Sequence, residues 1–227
     1  TSPAPTVIYV APRGNGFVKL NDDALDTMCT LVLCCCDRYR PAMNPTQTRW
    51  TPLPPLAIDW QNGVPVARES GDVFFSTEDG VAESDYVFIQ GNQLRERWAA
   101  HTCDPPFVIA EVGLGTGLNA CLTIAEWLKH RPNGATLHYL GFEKAPVRPG
   151  DMRRALSHWP ELEPIITTLL ERWPDPLLGC QRRHFPQWGL TLDLWWGDAG
   201  EALQDLASHG RQWVDAWYLD GFAPARE

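Results

Sequence analysis

The hydrophobic positions between residues 107 and 219 follow the pattern of a sheet whose strands are connected by helices. Short apolar runs predict strands, because a buried strand places apolar side chains against the layers that cover it. Longer amphipathic stretches between the runs predict the connecting helices. The predicted strands lie at 107–111, 136–142, 190–195 and 214–219, and the predicted helices at 118–129, at 149–173 with interruptions at Pro160 and Pro164, and at 200–208.

A smaller unit, with strands first and helix afterwards, is predicted for residues 43–104. Two short apolar runs flank Asn62-Gly63, and this dipeptide is a strong signal for a tight hairpin turn. Cys103-Asp-Pro-Pro106 predicts a linker to the following core. The predicted elements of the unit are strands at 56–60, 64–67 and 72–75 and a helix at 80–98 with a break at Gly91.

Residues 1–42 have a different character, because neither a helical nor a strand period persists there. Met43 begins a different register and is a candidate start of the protein proper. We interpret residues 1–42 as an upstream extension with no assigned function. The chain is thus expected to comprise this extension, an appended unit at 43–104 and an α/β core at 105–227.

Composition indicates a folded cytoplasmic protein. Hydrophobic residues make up 44% of the 227 residues and charged residues 21%, which is ordinary for a globular domain. The seven cysteines are odd in number and include three in succession at 34–36, which suits a reducing compartment better than a disulfide framework. The longest apolar run, 31–36, is far too short to cross a membrane, and the first residues lack the features of a secretory signal.

The net charge of −9 argues against extensive nucleic-acid contact by this chain alone, since such contact depends on neutralising phosphates. The net charge does not exclude a local basic patch on this chain or a basic partner domain. The six histidines are scattered without the spacing of metal ligands, and neither a P-loop nor a serine hydrolase signature is present. No metal site is therefore expected.

The candidate cofactor site begins at Glu111-Val-Gly-Leu-Gly-Thr-Gly117, directly after the first core strand. Glycines allow positive φ and leave the backbone open to a ligand. A dinucleotide fingerprint can be placed on Gly115-Thr-Gly-Leu-Asn-Ala120. The acidic start followed by Gly113, Gly115 and Gly117 fits S-adenosylmethionine better, because its cationic amino and sulfonium groups favour a nearby carboxylate. The candidate carboxylate is Glu111, which would contact the cofactor directly or through water.

Two further acids follow predicted strands and are candidate ligands of the cofactor's nucleoside. Glu143 ends the second strand, where an acid binds ribose hydroxyls in nucleotide-binding folds. Asp198 follows the third strand and could accept a hydrogen bond from an exocyclic amino group such as that of adenine. The competing interpretations are a solvated loop acid for Glu143 and a helix N-cap for Asp198.

Asp220 is the candidate catalytic residue. It ends the fourth predicted strand, and ligands of open α/β sheets bind outside the carboxyl ends of the strands. If the methyl acceptor is an amine, a carboxylate there could take its proton and hold the nitrogen in line. The competing interpretation is an acid that caps the Asp220-Gly221 turn.

Seven motifs resemble in their order the methyltransferase half of the bacterial bifunctional enzyme that makes 5-methylaminomethyl-2-thiouridine at the tRNA wobble position, and the likeness covers about residues 55–227. The resemblance implies a class I, Rossmann-like fold and methyl transfer from S-adenosylmethionine to the 5-aminomethyl group of that uridine. The motifs are Asp72-Val-Phe-Phe-Ser76, Gly91-Asn-Gln93, Glu111-Val-Gly-Leu-Gly-Thr-Gly-Leu-Asn119, Phe142-Glu-Lys144, His158-Trp-Pro-Glu-Leu162, Leu192-Asp-Leu-Trp-Trp-Gly-Asp198 and Val214-Asp-Ala-Trp-Tyr-Leu-Asp-Gly-Phe-Ala-Pro224.

The resemblance also implies roles for the residues already singled out. Glu111 and the glycines Gly113, Gly115 and Gly117 line the cofactor, Glu143 and Asp198 hold its nucleoside, and Asp220 is the base near the amine. The implied partners are the tRNA substrate and an FAD-dependent oxidoreductase half, which this chain lacks.

A class I sheet has seven strands, whereas the sequence predicts four, so the fold is expected to be C-terminally incomplete with an exposed sheet edge. Three alternatives stay open at this point. They are a methyltransferase of the same fold acting on another amine, a nicotinamide-dependent dehydrogenase, and an inactive fragment.

Overall fold

In the computed structural model, the described residues are 51–75, 79–208 and 214–220, together with the backbone of Thr6–Val10 and Phe17–Leu20. They contain one seven-stranded sheet and one two-stranded sheet. The strands are β1 (Thr6–Val10), β2 (Phe17–Leu20), β3 (Ile58–Gln61), β4 (Val64–Ala67), β5 (Phe107–Val112), β6 (Leu137–Glu143), β7 (Gly179–Phe185), β8 (Leu190–Trp196) and β9 (Ala216–Leu219).

The large sheet has the order β2-β1-β9-β5-β6-β8-β7. Its five central strands, β1, β9, β5, β6 and β8, are parallel to one another, and the edge strands β2 and β7 are antiparallel to β1 and β8. The register pairs Val112 of β5 with Phe142 of β6 and with Leu219 of β9. The residues that follow these strands therefore meet at one edge of the sheet, as a parallel arrangement requires.

Helices cover both faces of the sheet. The larger apolar cluster includes Leu118, Ile124 and Trp127 of one helix and the buried Leu137 and Tyr218 of the sheet. A smaller cluster on Ala110, Leu140 and Phe142 packs against Ala202, Leu203 and Leu206. The α-helices are α1 (Gly80–Ser84), α2 (Leu94–Ala99), α3 (Leu118–His130), α4 (Pro149–Leu156), α5 (Glu163–Leu170) and α6 (Ala199–Ser208), with 3-10 turns at Pro160–Leu162 and Pro186–Trp188.

The predicted strands at 107–111, 136–142, 190–195 and 214–219 are confirmed, with bounds that differ by at most two residues. The predicted helices are confirmed as well, and Pro160 and Pro164 separate α4, the 3-10 turn and α5 as expected. A proline is tolerated in a first helical turn, where its missing N–H has no partner to lose. The chain therefore has the mixed α/β architecture that the pattern of apolar runs indicated.

The appended unit contains the predicted hairpin, with Asn62 at φ 52° and Gly63 at φ 85° between β3 and β4. Both residues have the positive φ of the tight turn that favours this dipeptide. The predicted strand at 72–75 is wrong, because only an isolated bridge from Val73 to Val66 forms there. The predicted helix at 80–98 contains a π-helical segment, Asp85–Gln90, and is interrupted by a turn before α2.

The π-helical segment is tied to the core by one arginine. Arg95 forms ion pairs with Asp85 and with Glu126 of α3, the second with 2.6 Å between Nε and Oε2. Lys129 also contacts Glu126, with 2.6 Å between Nζ and Oε1. The group links the appended unit to the helix that follows the glycine turn.

The strand β7 was not predicted from the sequence. Its residues alternate between half-buried and exposed over most of its length, and its composition, Gly-Cys-Gln-Arg-Arg-His-Phe, contains no apolar run. The strand is held to β8 by Arg182, which donates to both oxygens of the buried Asp193 at 2.7 Å. His138 of β6 also contacts Asp193, with 2.9 Å between Nε2 and Oδ2. Polar pairing here replaces the apolar signal on which the prediction depended.

Strands β1 and β2 fall within residues 1–42, where no strand was predicted. β1 pairs in parallel with β9, from Thr6 with Ala216 to Tyr9 with Leu219. The sheet therefore continues beyond β9, and the predicted count of four strands is too low. The proposed start at Met43 and the three successive cysteines lie outside the described residues.

Within the described part of the chain, no helix is both long and apolar enough to cross a membrane. The described cysteines, Cys103, Cys121 and Cys180, form no disulfide.

Candidate functional site

The turn between β5 and α3 has the backbone conformation that the glycine spacing predicts. Gly113, Gly115 and Gly117 have φ of 88°, 54° and 80°, a region that other residues rarely adopt. A Cβ on Gly115 would lie 3.2 Å from Cδ1 of Phe74, and one on Gly117 would lie 3.1 Å from Cε of Met152. The positive φ favours glycine at these two positions, and a larger residue would also press on Phe74 or Met152.

Glu111, at the end of β5, is completely buried. Its Oε2 accepts a hydrogen bond from the Tyr139 hydroxyl at 2.7 Å, and its Oε1 accepts one from Nδ2 of Asn119 at 2.9 Å. Burial raises the pKa of Glu111 to about 8, and the nearby charges of Asp220 and Glu143 act in the same direction, while the two hydrogen bonds oppose the shift. Glu111 is therefore protonated at neutral pH unless a cation stabilises its charge.

Glu143, at the end of β6, holds the glycine turn. Its Oε2 accepts from the backbone N–H of Gly115 at 2.9 Å, and its Oε1 accepts from that of Ala145 at 2.7 Å. Burial raises the pKa of Glu143, although the backbone hydrogen bonds oppose the shift. This acid is not the solvated loop residue of the competing interpretation. Each carboxylate oxygen can still accept a second hydrogen bond, so a ligand role stays open.

Asp220 directly follows β9 and is partly buried. Its backbone N–H donates to the carbonyl oxygen of Val112 at 3.0 Å, which fixes it beside the end of β5. Its Oδ2 accepts from Nδ2 of Asn119 at 2.9 Å. The same amide nitrogen thus contacts both Asp220 and Glu111. The turn at 221–224 lies outside the described residues.

Asp198 occupies the N-terminus of α6. Its Oδ1 accepts from the backbone N–H groups of Gly200 at 2.9 Å and Glu201 at 3.3 Å, the geometry of an N-cap. Its Oδ2 lies 3.7 Å from Nζ of Lys144. The capping interpretation is therefore observed, and the proposed contact with adenine depends on the second oxygen.

The structure brings Glu111, Glu143 and Asp220 together around the glycine turn, and places Asp198 one strand further along the same edge. Gly197, next to Asp198, donates its N–H to the carbonyl oxygen of Glu143 at 2.9 Å. Among the described residues, no lysine, arginine or histidine forms an ion pair with Glu111 or Glu143. An edge that carries the buried Glu111 beside the partly buried Glu143 and Asp220 fits a cationic ligand such as S-adenosylmethionine.

Sequence reasoning missed two residues of this cluster, Asn119 and Tyr139. Asn119 belongs to the quoted glycine motif, and an amide on the first turn of an otherwise apolar helix was a usable signal. Tyr139 lies within an apolar strand, where a buried hydroxyl requires a hydrogen-bond partner. No group of three or more potential metal ligands occurs in the described parts of the chain.

Comparison with known proteins gives three findings. Residues 160–227 match the family model described as S-adenosyl-L-methionine-dependent methyltransferase. The chain is 46% identical over 180 residues to the tRNA 5-methylaminomethyl-2-thiouridine biosynthesis bifunctional protein MnmC of Aeromonas hydrophila, and 46% identical over 181 residues to that of Aeromonas salmonicida. Each match covers 78% of this chain and 27% of the relative, so the chain spans about a quarter of the length of these proteins.

A solved structure, that of MNMC2 from Aquifex aeolicus, matches with a TM-score of 0.55. The match covers 91% of this chain and 58% of that chain at 21% sequence identity. At this identity the likeness bears on the fold alone, and it supports the Rossmann-like arrangement of the sheet.

Proposed function

We propose that this chain is an S-adenosyl-L-methionine-dependent methyltransferase of the MnmC family and that it methylates the amine of 5-aminomethyl-2-thiouridine at the tRNA wobble position. The observation that carries the proposal is the cluster of Glu111, Glu143 and Asp220 around a glycine turn of positive φ. The names of the two Aeromonas relatives supply the modified nucleoside.

Cofactor binding is assigned to the glycine turn and its acids. When bound, S-adenosylmethionine supplies an electrophilic methyl group on a sulfonium. Glu111, ionised by the approaching cation, stabilises its positive groups in a buried site where the attraction is strong. Gly113, Gly115 and Gly117 allow close approach to the backbone. Glu143 accepts from the ribose hydroxyls while it holds the turn through Gly115.

Asp198 is assigned to the adenine end of the pocket. Its Oδ1 caps α6, so Oδ2 is the atom that accepts a hydrogen bond from the amino group of adenine. This hydrogen bond replaces the long contact between Oδ2 and Lys144. The capping hydrogen bonds hold the carboxylate in one orientation, which reduces the entropy lost on binding.

Asp220 is proposed as the base that acts on the acceptor amine. A protonated amine cannot attack the methyl group, because its lone pair is occupied. Asp220 stands at the carboxyl end of β9, next to the end of β5, and its carboxylate takes the proton and aligns the nitrogen. Proximity and this proton transfer account for most of the catalysis.

The proposed partners follow from the relatives. The substrate is tRNA, and the oxidoreductase that prepares the amine with FAD belongs to the other part of the bifunctional proteins. The cytoplasm is the proposed compartment. Since this chain carries a net charge of −9, much of the phosphate contact is assigned to parts of the longer proteins outside the matched region.

The test uses the full chain, S-adenosylmethionine labelled in its methyl group, and tRNA that carries the 5-aminomethyl intermediate. Fully methylated tRNA and small amines serve as the alternative acceptors, and Asp220→Asn serves as the matched variant. We expect label in the wobble nucleoside of the intermediate tRNA only, and a loss of rate of at least about a hundredfold in Asp220→Asn. Labelling of a small amine in preference to tRNA would overturn the proposed substrate.

A further inference from the structure

Asn119 is a buried polar residue for which the proposed function has no role so far. It lies on the first turn of α3 and is 6% exposed. Its Nδ2 is 2.9 Å from Oε1 of Glu111 and 2.9 Å from Oδ2 of Asp220. An amide NH2 group has two N–H donors, and both are used by these two carboxylates.

The position of Asn119 is set by the turn that precedes it. Gly117 has φ 80° and ends the glycine turn, so that α3 begins directly below the carboxyl ends of β5 and β9. The backbone contact between Asp220 and Val112 brings the two strand ends together. The side chain of Asn119 thereby reaches two acids that lie far apart in the sequence.

A neutral donor suits this place better than a cation. A lysine between the two acids would neutralise them and compete with the cofactor and the amine. An amide instead holds one oxygen of each carboxylate without removing its charge. The charge that Glu111 acquires when the cationic ligand binds is therefore not cancelled by a cation at position 119.

We infer that Asn119 is a positioning residue that holds the cofactor-binding carboxylate of Glu111 and the base Asp220 in a fixed relation. The inference rests on the proposed function, since it takes the roles of Glu111 and Asp220 from there. Asn119 acts through these two acids.

The test is a pair of double-mutant cycles on the full chain. The first measures the Kd of S-adenosylhomocysteine for wild type, Asn119→Ala, Glu111→Gln and the double variant. The second measures the single-turnover rate of tRNA methylation for wild type, Asn119→Ala, Asp220→Asn and the double variant. Asn119→Ser, which keeps one donor, is added to both.

We expect Asn119→Ala to weaken binding and to slow methylation by about tenfold each, the effect of losing a hydrogen bond to a charged group. Its effect in the Glu111→Gln or Asp220→Asn background is expected to be less than about twofold, because the acid through which it acts is then gone. Asn119→Ser is expected to recover part of each loss. Independent, multiplicative effects in either cycle would overturn the inference.

Thr123→Val is the matched control for damage to the fold. Thr123 is completely buried one turn further along the same helix than Asn119, and its Oγ1 is 3.0 Å from the Tyr218 hydroxyl. We expect this variant to lower Tm while the rate stays within about twofold of wild type. A loss of rate in Thr123→Val equal to that in Asn119→Ala would show that helix stability alone explains both, and the inference would be wrong.

The two proposals fail in different ways. If wild type binds S-adenosylhomocysteine but methylates no tRNA, the proposed function fails, and the binding cycle decides the inference alone. If Asp220→Asn methylates tRNA at the wild-type rate, Asp220 is not the base, and the inference fails with it.

Discussion

Binding of S-adenosylmethionine should release a proton from Glu111. This carboxyl group is completely buried, and its pKa is about 8, so the ligand-free protein holds a proton there at neutral pH. The cationic ligand requires the ionised form. The affinity for S-adenosylmethionine is therefore expected to rise with pH until Glu111 is already ionised in the ligand-free protein. The two perturbations to compare are a change of pH and the substitution Glu111→Gln.

The magnitude follows from the position of the pKa. Below pH 8, each unit of acidification costs about tenfold in affinity if the bound state is ionised throughout. Between pH 6.0 and 7.5 the Kd of wild type should therefore fall about 25-fold, because part of Glu111 is already ionised at pH 7.5. The sulfonium is charged at every pH, and the α-amino group, with a usual pKa of about 7.7 to 8.0, keeps most of its charge up to about pH 7. Glu111→Gln has no such proton and should show a nearly constant, weaker affinity.

The assay is isothermal titration calorimetry at several pH values, in two buffers with different ionisation enthalpies. At pH 6.5 the wild type should release about one proton for each ligand bound, and Glu111→Gln about none. A wild-type Kd that does not change across the window, or an equal slope in Glu111→Gln, would refute the reasoning.

The same proton has a consequence for folding. The unfolded chain ionises Glu111 near its ordinary pKa of 4.5, while the folded protein keeps the proton up to about 8. The unfolded state therefore binds fewer protons in this range, and the free energy of unfolding should fall as pH rises from about 4.5 to 8. Chemical denaturation of Glu111→Gln should show a smaller fall over the same range.

Three further predictions concern other parts of the structure. Asp193→Asn should lower the free energy of unfolding at pH 7 by about 2 kcal/mol, measured by urea denaturation. Burial opposes ionisation of Asp193, but its hydrogen bonds lower its pKa to about 2. The difference in stability between wild type and variant should therefore disappear as pH falls from about 4 to 2. Gly115→Ala should lower stability by about 1 to 3 kcal/mol and weaken cofactor binding, whereas Gly71→Ala, also at positive φ but with open space around it, should leave binding unchanged. Asp198→Ala should lower the free energy of unfolding by about 1 kcal/mol through loss of the helix cap, and it should also weaken cofactor binding. Asp198→Ser should recover the stability but not the affinity. Equal affinity of both variants and wild type would contradict a ligand role for Asp198.

The parallel core of the fold was predictable because its signals are local. Apolar runs define β5, β6, β8 and β9, and three alternate glycines mark the turn after β5. The strand β7 escaped prediction because its stability comes from Arg182 and Asp193, which face each other across β7 and β8. Such pairing depends on register, and register is not visible in the composition of one segment.

The site was predictable to a similar degree. Acids at the carboxyl ends of parallel strands meet at one edge, so Glu111, Glu143 and Asp220 could be grouped from the sequence. The hydrogen bond from Asn119 to Asp220 joins residues that are 101 positions apart, and no local pattern contains that distance. The hydrogen bonds that tie Glu143 to the glycine turn are likewise a product of the folded backbone.

The π-helical segment Asp85–Gln90 has a consequence for how homologues of this chain vary in length. A π-helical turn bonds residue i to i+5 and so holds one residue more than an α-helical turn. A homologue that is one residue shorter between Gly80 and Gln93 could close this turn into ordinary α-helix and keep the same faces on both sides. In an alignment, such a gap belongs within Asp85–Gln90, and the strands and acids that follow keep their correspondence.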